Sequence, residues 1–446
     1  MRLCFLQLQL LVFGLIVFRN AQMRFSFYVA VLFCACSLVA SAQNFVCGPA
    51  QAGAIELKNN TIFSNTAAGF DLGTAATVAS GFCTSTQPFF FSIARAEGNY
   101  RVTVELGAPE ASVTTVRAEA RRLMVEKTSV VAGQTTRRVF DVNVRTRTID
   151  GDYANLVHLK PREIGNADWD QKLTLEFNGE HPGFRSLRIE PVEETTVYLA
   201  GDSTVVDQDV EPWAAWGQML PRFFRPGVVI ANHGESGETV RSFERELRFA
   251  KIFSALKAGD YLFLQFGHND QKPENSVPLD LYKKLLATYI DKTRAAGATP
   301  VLVTSMNRRA FDENGKIKDT FVGYPQAMRA VAKEKNVALI DLNTMSKTLY
   351  EAWGPELSTK AFVHYPANTF RYQTEAINDD THFNSYGAYE LARCIVRGIE
   401  EANLPLGKWL TPDAGPFDPA HPDALFSLPL TPIPARDGDV TKVPQI

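Results

Sequence analysis

Two distant stretches of the chain carry residue types that can cooperate in nucleophilic chemistry. Ser203 lies in Gly201-Asp202-Ser203-Thr204, directly after an apolar run, and His382 closes Asp379-Asp380-Thr381-His382 far downstream. A serine hydroxyl becomes a good nucleophile when an imidazole takes its proton, and the imidazole works best when a carboxylate fixes its tautomer. On a turn leading into a helix, the three-residue spacing would place Asp379 and His382 on one side of the backbone. Each motif alone is more often a helix N-cap or a solvated turn.

The region from residue 194 onward predicts a framework that would bring these residues together. Apolar runs alternate there with segments of helical periodicity, which implies a parallel sheet covered by helices on both faces. Such sheets place their functional loops beyond the carboxyl ends of the strands, and Ser203, Gly237 and Asn269 follow the first three strands. The predicted strands are Thr196–Ala200, Val228–Ala231, Tyr261–Phe266, Pro300–Thr304 and Val337–Leu342, and a later helix is predicted at Asn384–Glu400.

The same edge of the sheet offers donors for an oxygen that becomes negative during acyl transfer. The backbone N–H groups of Ser203 and Gly237 and the side-chain amide of Asn269 would form such an oxyanion pocket. The ordinary roles of these residue types are a turn glycine and a loop-capping asparagine. The cysteine and histidine spacing indicates no zinc site, and the chemistry requires neither a metal nor a cofactor.

The four blocks together resemble those of the SGNH or GDSL-like hydrolases. That family carries serine, glycine, asparagine and histidine on successive strand ends, and the likeness spans roughly residues 195–400. The resemblance implies a flavodoxin-like, three-layer α/β fold with a five-stranded parallel sheet. It also implies a triad of Ser203, Asp379 and His382, with Ser203, Gly237 and Asn269 as the oxyanion hole, and it selects Asp379 rather than Asp380 as the orienting carboxylate.

Within that superfamily the chain is similar to rhamnogalacturonan acetylesterases, which remove acetyl groups from pectin backbones. The likeness rests on Gly-Asp-Ser-Thr, on Gly-His-Asn-Asp-Gln at 267–271 and on Arg-Ser-Phe at 241–243. Thr239 and Gly234 depart from the pattern, where serine and alanine are expected. The resemblance implies a carbohydrate esterase acting on acetylated plant cell-wall polysaccharide. The alternatives are an SGNH esterase acting on acetylated xylan or another acyl ester, and a non-catalytic glycan-binding protein.

Residues 43–193 predict a separate all-β sandwich. Short runs there alternate apolar and polar residues with a period of two, as at 100–106 and 172–177. Phe70-Asp71-Leu72-Gly73 resembles the galactose-binding-like modules that accompany bacterial carbohydrate esterases. The esterase domain is then expected at 194–404, and the proline-rich residues 405–446 are expected to form an extended surface tail.

Residues 1–42 are expected to be an export signal. An apolar core at Phe25–Val39 follows Met23-Arg24 and precedes the small-residue site Ala40-Ser41-Ala42. Met23 is therefore a candidate start, and the alternatives are one long signal or an amino-terminal anchor. The expected location is secreted or periplasmic in a bacterium.

Composition narrows the class of partner. The chain has 446 residues, of which 45% are hydrophobic, and a net charge of −3. It therefore lacks the excess of basic residues that is typical of nucleic-acid binding. The amino-terminal apolar stretches, Leu3–Phe18 and Phe25–Val39, are both short for a membrane span, so no stable insertion is expected. Exported proteins retain disulfides, so Cys47 and Cys83 could pair, whereas Cys394 lies in an apolar helical pattern and is expected to be a buried free thiol.

Several further side chains have two possible roles. Asp202 is expected to hold its loop, and the alternative is a contact with substrate. His268 is expected either to face the cleft and bind substrate or to pack within the loop. Trp213 and Trp216 fit a hydrophobic core better than a sugar platform. Candidate sugar contacts without a supporting motif are His364, Tyr365 and Arg371.

Overall fold

The structure is a computed structural model that describes residues 41–49, 51–370 and 373–432. These residues belong to one compact unit. The predicted signal, apart from its last two residues, lies outside them, as do Arg371 and residues 433–446. We refer to residues 43–191 as the β-part and to residues 195–401 as the α/β-part.

The β-part consists of two main sheets that share one hydrophobic core. One sheet has the order β10-β7-β14-β1-β2, with β5 and β4 beside β14, and the other has the order β3-β6-β13-β8-β9. The predicted all-β organisation is confirmed, whereas the likeness to galactose-binding-like modules stays a prediction. The strands are β1 Gln43–Cys47, β2 Ile55–Leu57, β3 Gly69–Asp71, β4 Thr77–Ala79, β5 Phe82–Thr84, β6 Phe89–Ala94, β7 Gly98–Leu106, β8 Ser112–Ala118, β9 Arg122–Val130, β10 Thr136–Val144, β11 Thr148–Ile149, β12 Asp152–Leu156, β13 Lys172–Glu180 and β14 Gly183–Pro191.

Sequence alternation explains how these strands pack. In β7, Tyr100, Val102, Val104 and Leu106 are buried while the residues between them are half-buried. Side chains on a strand alternate between its two faces, so one face of β7 lies on the core. A disulfide between Cys47 and Cys83 joins β1 to β5 within this core, with their Cα atoms 5.4 Å apart.

The α/β-part is built on a five-stranded parallel sheet in the spatial order β16-β15-β17-β18-β19. The order 2-1-3-4-5 is that of flavodoxin-like folds, so the predicted parallel sheet is confirmed. Its strands are β15 Thr195–Gly201, β16 Val228–Asn232, β17 Tyr261–Gln265, β18 Thr299–Val303 and β19 Ala338–Ile340. The helices are α1 Trp216–Met219, α2 Val240–Arg245, α3 Arg248–Ala255, α4 Leu279–Ala295, α5 Tyr324–Glu334, α6 Leu342–Leu357 and α7 Ser385–Glu401.

Strand β15, which lies between β16 and β17, contacts a separate core on each face. Val197 and Leu199 pack with α1, α6 and α7, and Tyr198 and Ala200 pack with α2, α3, α4 and α5. Because neighbouring side chains on a strand point to opposite faces, an uninterrupted apolar strand requires helices on both sides. The three-layer prediction is therefore confirmed.

The chain between α6 and α7 forms a two-stranded antiparallel hairpin, β20 Phe362–Tyr365 and β21 Ile377–Phe383. The sequence showed no periodicity here. Ala214 N donates to Phe383 O at 2.8 Å, which attaches the end of β21 to the loop that follows Ser203. The hairpin thus joins the carboxyl edge of the parallel sheet.

Within the proline-rich segment that was expected to be an extended surface tail, residues 429–431 bind back to the β-part. Arg117 Nη2 donates to Pro429 O at 2.6 Å, and Asn178 Nδ2 donates to Leu430 O at 2.9 Å. Thr431 Oγ1 donates to Glu176 at 2.9 Å. We call residues 429–431 the C-terminal clasp.

Candidate active site

Ser203 lies at the carboxyl end of β15, in a loop that its neighbours hold tightly. Asp202 Oδ1 accepts hydrogen bonds from both the N–H and the hydroxyl of Thr204, at 2.9 and 2.8 Å. A side chain at Gly201 would meet Val205 Cγ2 at 2.4 Å and Gln265 O at 2.9 Å, so only glycine fits there. The expected loop-holding role of Asp202 agrees with these contacts.

Ser203, His382 and Asp379 form one continuous hydrogen-bonded chain. Ser203 Oγ lies 2.8 Å from His382 Nε2, and His382 Nδ1 lies 2.7 Å from Asp379 Oδ2. The other oxygen of Asp379 accepts from the N–H groups of Thr381 and His382 at 2.8 and 3.0 Å. Burial opposes ionisation of Asp379, but its hydrogen bond and charge interaction with His382 and these N–H donors outweigh it and lower the pKa of Asp379 to about 2.

Asp379 and His382 lie on β21 rather than on the predicted turn. A regular strand would direct residues three apart to opposite faces. The pairing of β21 with β20 shifts register here, because Phe362 faces Phe383 while its neighbour Val363 faces Asp379. The residues between them therefore bulge out of the ladder, and this bulge allows both side chains to point toward Ser203.

Gly237 and Asn269 come from the two loops next to the serine loop. Gly237 follows β16 and has a φ of +82°, a conformation that glycine adopts readily. Asn269 follows β17, is buried, and donates one amide hydrogen bond to Glu238 O at 3.1 Å. Among the residues that the structure describes, the Asn269 side-chain amide donates no other hydrogen bond, so its second N–H remains for a ligand.

His268 packs within its loop and is buried. Its Nδ1 lies 3.2 Å from Asp202 Oδ2 and its Nε2 lies 3.1 Å from Met306 O. Burial lowers the pKa of His268, although the neighbouring Asp202 carboxylate opposes this shift. Of its two expected roles, the structure shows loop packing.

The remaining candidate side chains make structural contacts. Trp213 and Trp216 are both buried in the α/β-part, as expected for core residues. Asp380 is exposed and accepts from Arg309 Nη1 at 3.0 Å, while His364 Nε2 lies 2.8 Å from the same oxygen. Asp380 therefore connects the hairpin to a neighbouring loop and is not adjacent to the ring nitrogens of His382.

Residues of the β-part also reach the loops of the site, which no motif indicated. Arg121 Nη1 donates to Gln208 O at 3.0 Å, and Gln208 Nε2 donates to Ser203 O at 2.9 Å. Lys160 Nζ donates to Ser236 O at 2.7 Å, next to Gly237. The two basic residues that flank Pro161 are the one local feature here, and by themselves they indicate only a solvated surface.

Within 41–49, 51–370 and 373–432, no group of three or more His, Cys, Asp or Glu side chains is placed to hold a metal ion. The helices of this part of the chain include none that is long and apolar enough to cross a membrane.

Comparison with known proteins identifies the class. The GDSL-like lipase/acylhydrolase family matches residues 199–388. Rhamnogalacturonan acetylesterase RhgT of Bacillus subtilis is 46% identical over 212 residues, which cover 47% of this chain and 91% of that protein. Probable rhamnogalacturonan acetylesterase YesY of the same bacterium is 37% identical over 215 residues, covering 47% and 94%. Among solved structures, the Bacillus subtilis protein YxiM has a TM-score of 0.45 at 23% identity and covers 82% of this chain and 99% of its own.

An open parallel sheet with a hydrogen-bonded serine, imidazole and carboxylate at its carboxyl edge, together with the family match and the two acetylesterase relatives, defines a carboxylic-ester hydrolase. The chain belongs to the GDSL-like lipase/acylhydrolase family.

Proposed function

We propose that this protein is an exported carbohydrate esterase that removes acetyl groups from rhamnogalacturonan with Ser203 as nucleophile. The observation that carries the proposal is the hydrogen-bonded chain from Ser203 through His382 to Asp379. The names of two relatives, each matched over more than nine-tenths of its length, support the substrate class. The predicted signal at 1–42 supports export.

In the first half of the proposed cycle, Ser203 Oγ attacks the acetyl carbonyl carbon while His382 Nε2 takes its proton. Asp379 accepts a hydrogen bond from Nδ1–H, which keeps Nε2 free to act as base and stabilises the imidazolium that forms. The carbonyl oxygen becomes negative and is stabilised by the N–H groups of Ser203 and Gly237 and by the amide of Asn269.

In the second half, the bond between the acetyl carbon and the sugar oxygen breaks, and His382 returns its proton to that oxygen. The deacetylated sugar leaves and Ser203 carries the acetyl group. Water then attacks the acetyl carbon while His382 takes a proton from it, and the tetrahedral intermediate releases acetate as His382 reprotonates Ser203. All proton transfers use groups of the chain and water.

Acetate release from acetylated rhamnogalacturonan tests the nucleophile. Ser203→Ala should lower kcat by about 10⁴-fold or more, because it removes the group that forms the acyl-enzyme. The variant should keep its fold, since among the described residues the Ser203 hydroxyl is hydrogen-bonded to His382 alone. Undiminished turnover in folded Ser203→Ala protein would refute the assignment.

A substrate panel tests the polymer. Acetylated rhamnogalacturonan, acetylated xylan and 4-nitrophenyl acetate are compared at equal enzyme concentration, with Ser203→Ala as the blank. The highest kcat/KM is expected on rhamnogalacturonan. A preference for xylan would replace the substrate but keep the chemistry, and no release from any of the three would favour a glycan-binding protein. Amino-terminal sequencing of the exported protein should begin at Gln43.

A further inference from the structure

We propose that Lys160 and Arg162, which lie in the β-part, are positioning residues of the oxyanion pocket. The inference rests on the proposed role of the Gly237 N–H. It makes the β-part a component of the esterase site rather than an appended module.

The two cations converge on one backbone oxygen. Lys160 Nζ donates to Ser236 O at 2.7 Å, and Arg162 Nη2 donates to the same oxygen. Each cation is also paired with a carboxylate of the same loop, Lys160 with Glu238 and Arg162 with Glu235, where Arg162 Nε donates at 2.7 Å. The loop is therefore held at Glu235, Ser236 and Glu238, which lie on both sides of Gly237.

The oxygen that they hold belongs to the peptide bond that contains the Gly237 N–H. In a planar trans peptide the C=O and the N–H point in opposite directions. Fixing the carbonyl of Ser236 on the side of the β-part therefore fixes the direction of the Gly237 N–H on the other side. Two cations on the carbonyl oxygen also polarise the peptide, which makes the N–H a stronger donor.

The turn that carries the two cations is itself anchored. Glu163 is buried and accepts from Arg248 of α3 through both guanidinium nitrogens, at 3.0 and 2.5 Å. The same carboxylate accepts from Lys160 N at 2.8 Å. Pro161 restricts the backbone between Lys160 and Arg162. The turn can therefore hold the oxyanion loop in one place, which a flexible lysine on the surface could not do.

The charge balance argues for positioning rather than for direct substrate binding. Glu235 and Glu238 are both buried, and a buried carboxylate needs a paired cation. Lys160 and Arg162 supply these charges from the β-part. Arg162 is 42% exposed, so contact with an anionic substrate is the competing role that the experiment must separate.

The experiment measures kcat and KM of Lys160→Met and Arg162→Met on 4-nitrophenyl acetate, a small neutral ester. Deleting an oxyanion donor costs about 10²- to 10³-fold, and misdirecting one should lower kcat by about 10- to 100-fold with little change in KM. Arg162→Lys should recover much of the loss, because it restores a cation beside Glu235. Circular dichroism establishes that each variant is folded, and Lys160→Gln serves if Lys160→Met does not fold.

Arg101→Met is the matched control. Arg101 belongs to the β-part, is 27% exposed, and pairs with Asp141 of β10 and with Glu194, which lies just before the α/β-part. Within the described residues it has no hydrogen bond or ion pair to residues 235–238. Its kcat should stay within about twofold of the parent.

Three results would overturn the inference. One is parental kcat in both folded methionine variants, and another is an equal loss in Arg101→Met. The third is a loss confined to KM when the same variants are also assayed on acetylated rhamnogalacturonan, whose sugar acids carry negative charge, because that loss would make the cations substrate contacts. Activity persisting in Ser203→Ala would instead refute the proposed function.

Discussion

Replacing Asp379 by asparagine tests the orienting carboxylate with almost no change in shape. Asparagine keeps the oxygen that accepts from the N–H groups of Thr381 and His382. It replaces the oxygen 2.7 Å from His382 Nδ1 by an NH₂ group, which can only donate. Nδ1 must then accept, so the ring proton moves to Nε2.

The size of the effect follows from this exchange of tautomer. With a proton on Nε2, His382 cannot accept the proton of Ser203 Oγ, which lies 2.8 Å away. The same exchange in a serine-protease triad costs about 10⁴-fold in kcat, or about 5.5 kcal/mol of transition-state stabilisation. We expect a loss of this order in kcat with a nearly constant KM, because Asp379 contacts no substrate in the proposed mechanism.

The assay is hydrolysis of 4-nitrophenyl acetate, with Asp380→Asn as the control. Asp380 has the same chemistry one residue away but is exposed and bound to Arg309 and His364. Its replacement should change kcat by less than about threefold. Near-parental kcat in folded Asp379→Asn, or a larger loss in Asp380→Asn, would refute the reasoning.

Three further predictions concern the donors, a buried acid and the disulfide. Asn269→Ala should lower kcat by about 10²- to 10³-fold on any acetate ester, because it removes a proposed oxyanion donor. Burial raises the pKa of Asp270 most, and the charge of a neighbouring carboxylate raises it further, from 3.8 to about 7. The free energy of unfolding should therefore fall as pH rises between about 4 and 7. The side chain in Asp270→Asn cannot ionise. In urea titrations over this pH range, the free energy of unfolding of the variant should therefore fall by up to about 4 kcal/mol less than that of the parent. Replacing Cys47 and Cys83 together by alanine opens a loop of 36 residues and should lower the free energy of unfolding by about 4 kcal/mol, with kcat unchanged.

Each of these has a contradicting result. Parental kcat in Asn269→Ala would exclude its amide from the oxyanion pocket. Parallel stability curves for Asp270→Asn and the parent across this pH range would show that the acid is not held neutral. Equal unfolding midpoints for the double cysteine variant and the parent would mean that the disulfide constrains nothing.

Local sequence patterns were sufficient to predict the parallel sheet and the order of the loops that follow its strands. Period-two alternation identified the β-part, and uninterrupted apolar runs identified the strands of the parallel sheet, since both depend on burial of neighbouring side chains. Helix α6 was not among the predicted elements, although Leu342, Met345, Leu349, Tyr350 and Trp353 are buried and have helical spacing.

Features set by tertiary packing could not be predicted in this way. The bulge of β21 depends on its pairing with β20, and nothing in Asp379-Asp380-Thr381-His382 distinguishes it from a turn. Lys160 and Arg162 lie far from the motif of Gly237 in sequence. Their contacts with its loop arise because the β-part packs against the α/β-part, and a run of basic residues alone indicates only a solvated surface.

The C-terminal clasp has a consequence for the order in which the protein folds. The β-part leaves the ribosome first, but Arg117, Asn178 and Glu176 acquire their partners in residues 429–431 only after the whole α/β-part has been made. A hydrogen bond to a charged group stabilises by roughly 1.5–3 kcal/mol, so the nascent β-part lacks the contributions of the clasp's bonds to Arg117 and Glu176. The last hydrogen bonds of the β-part therefore form only once residues 429–431 have been synthesised.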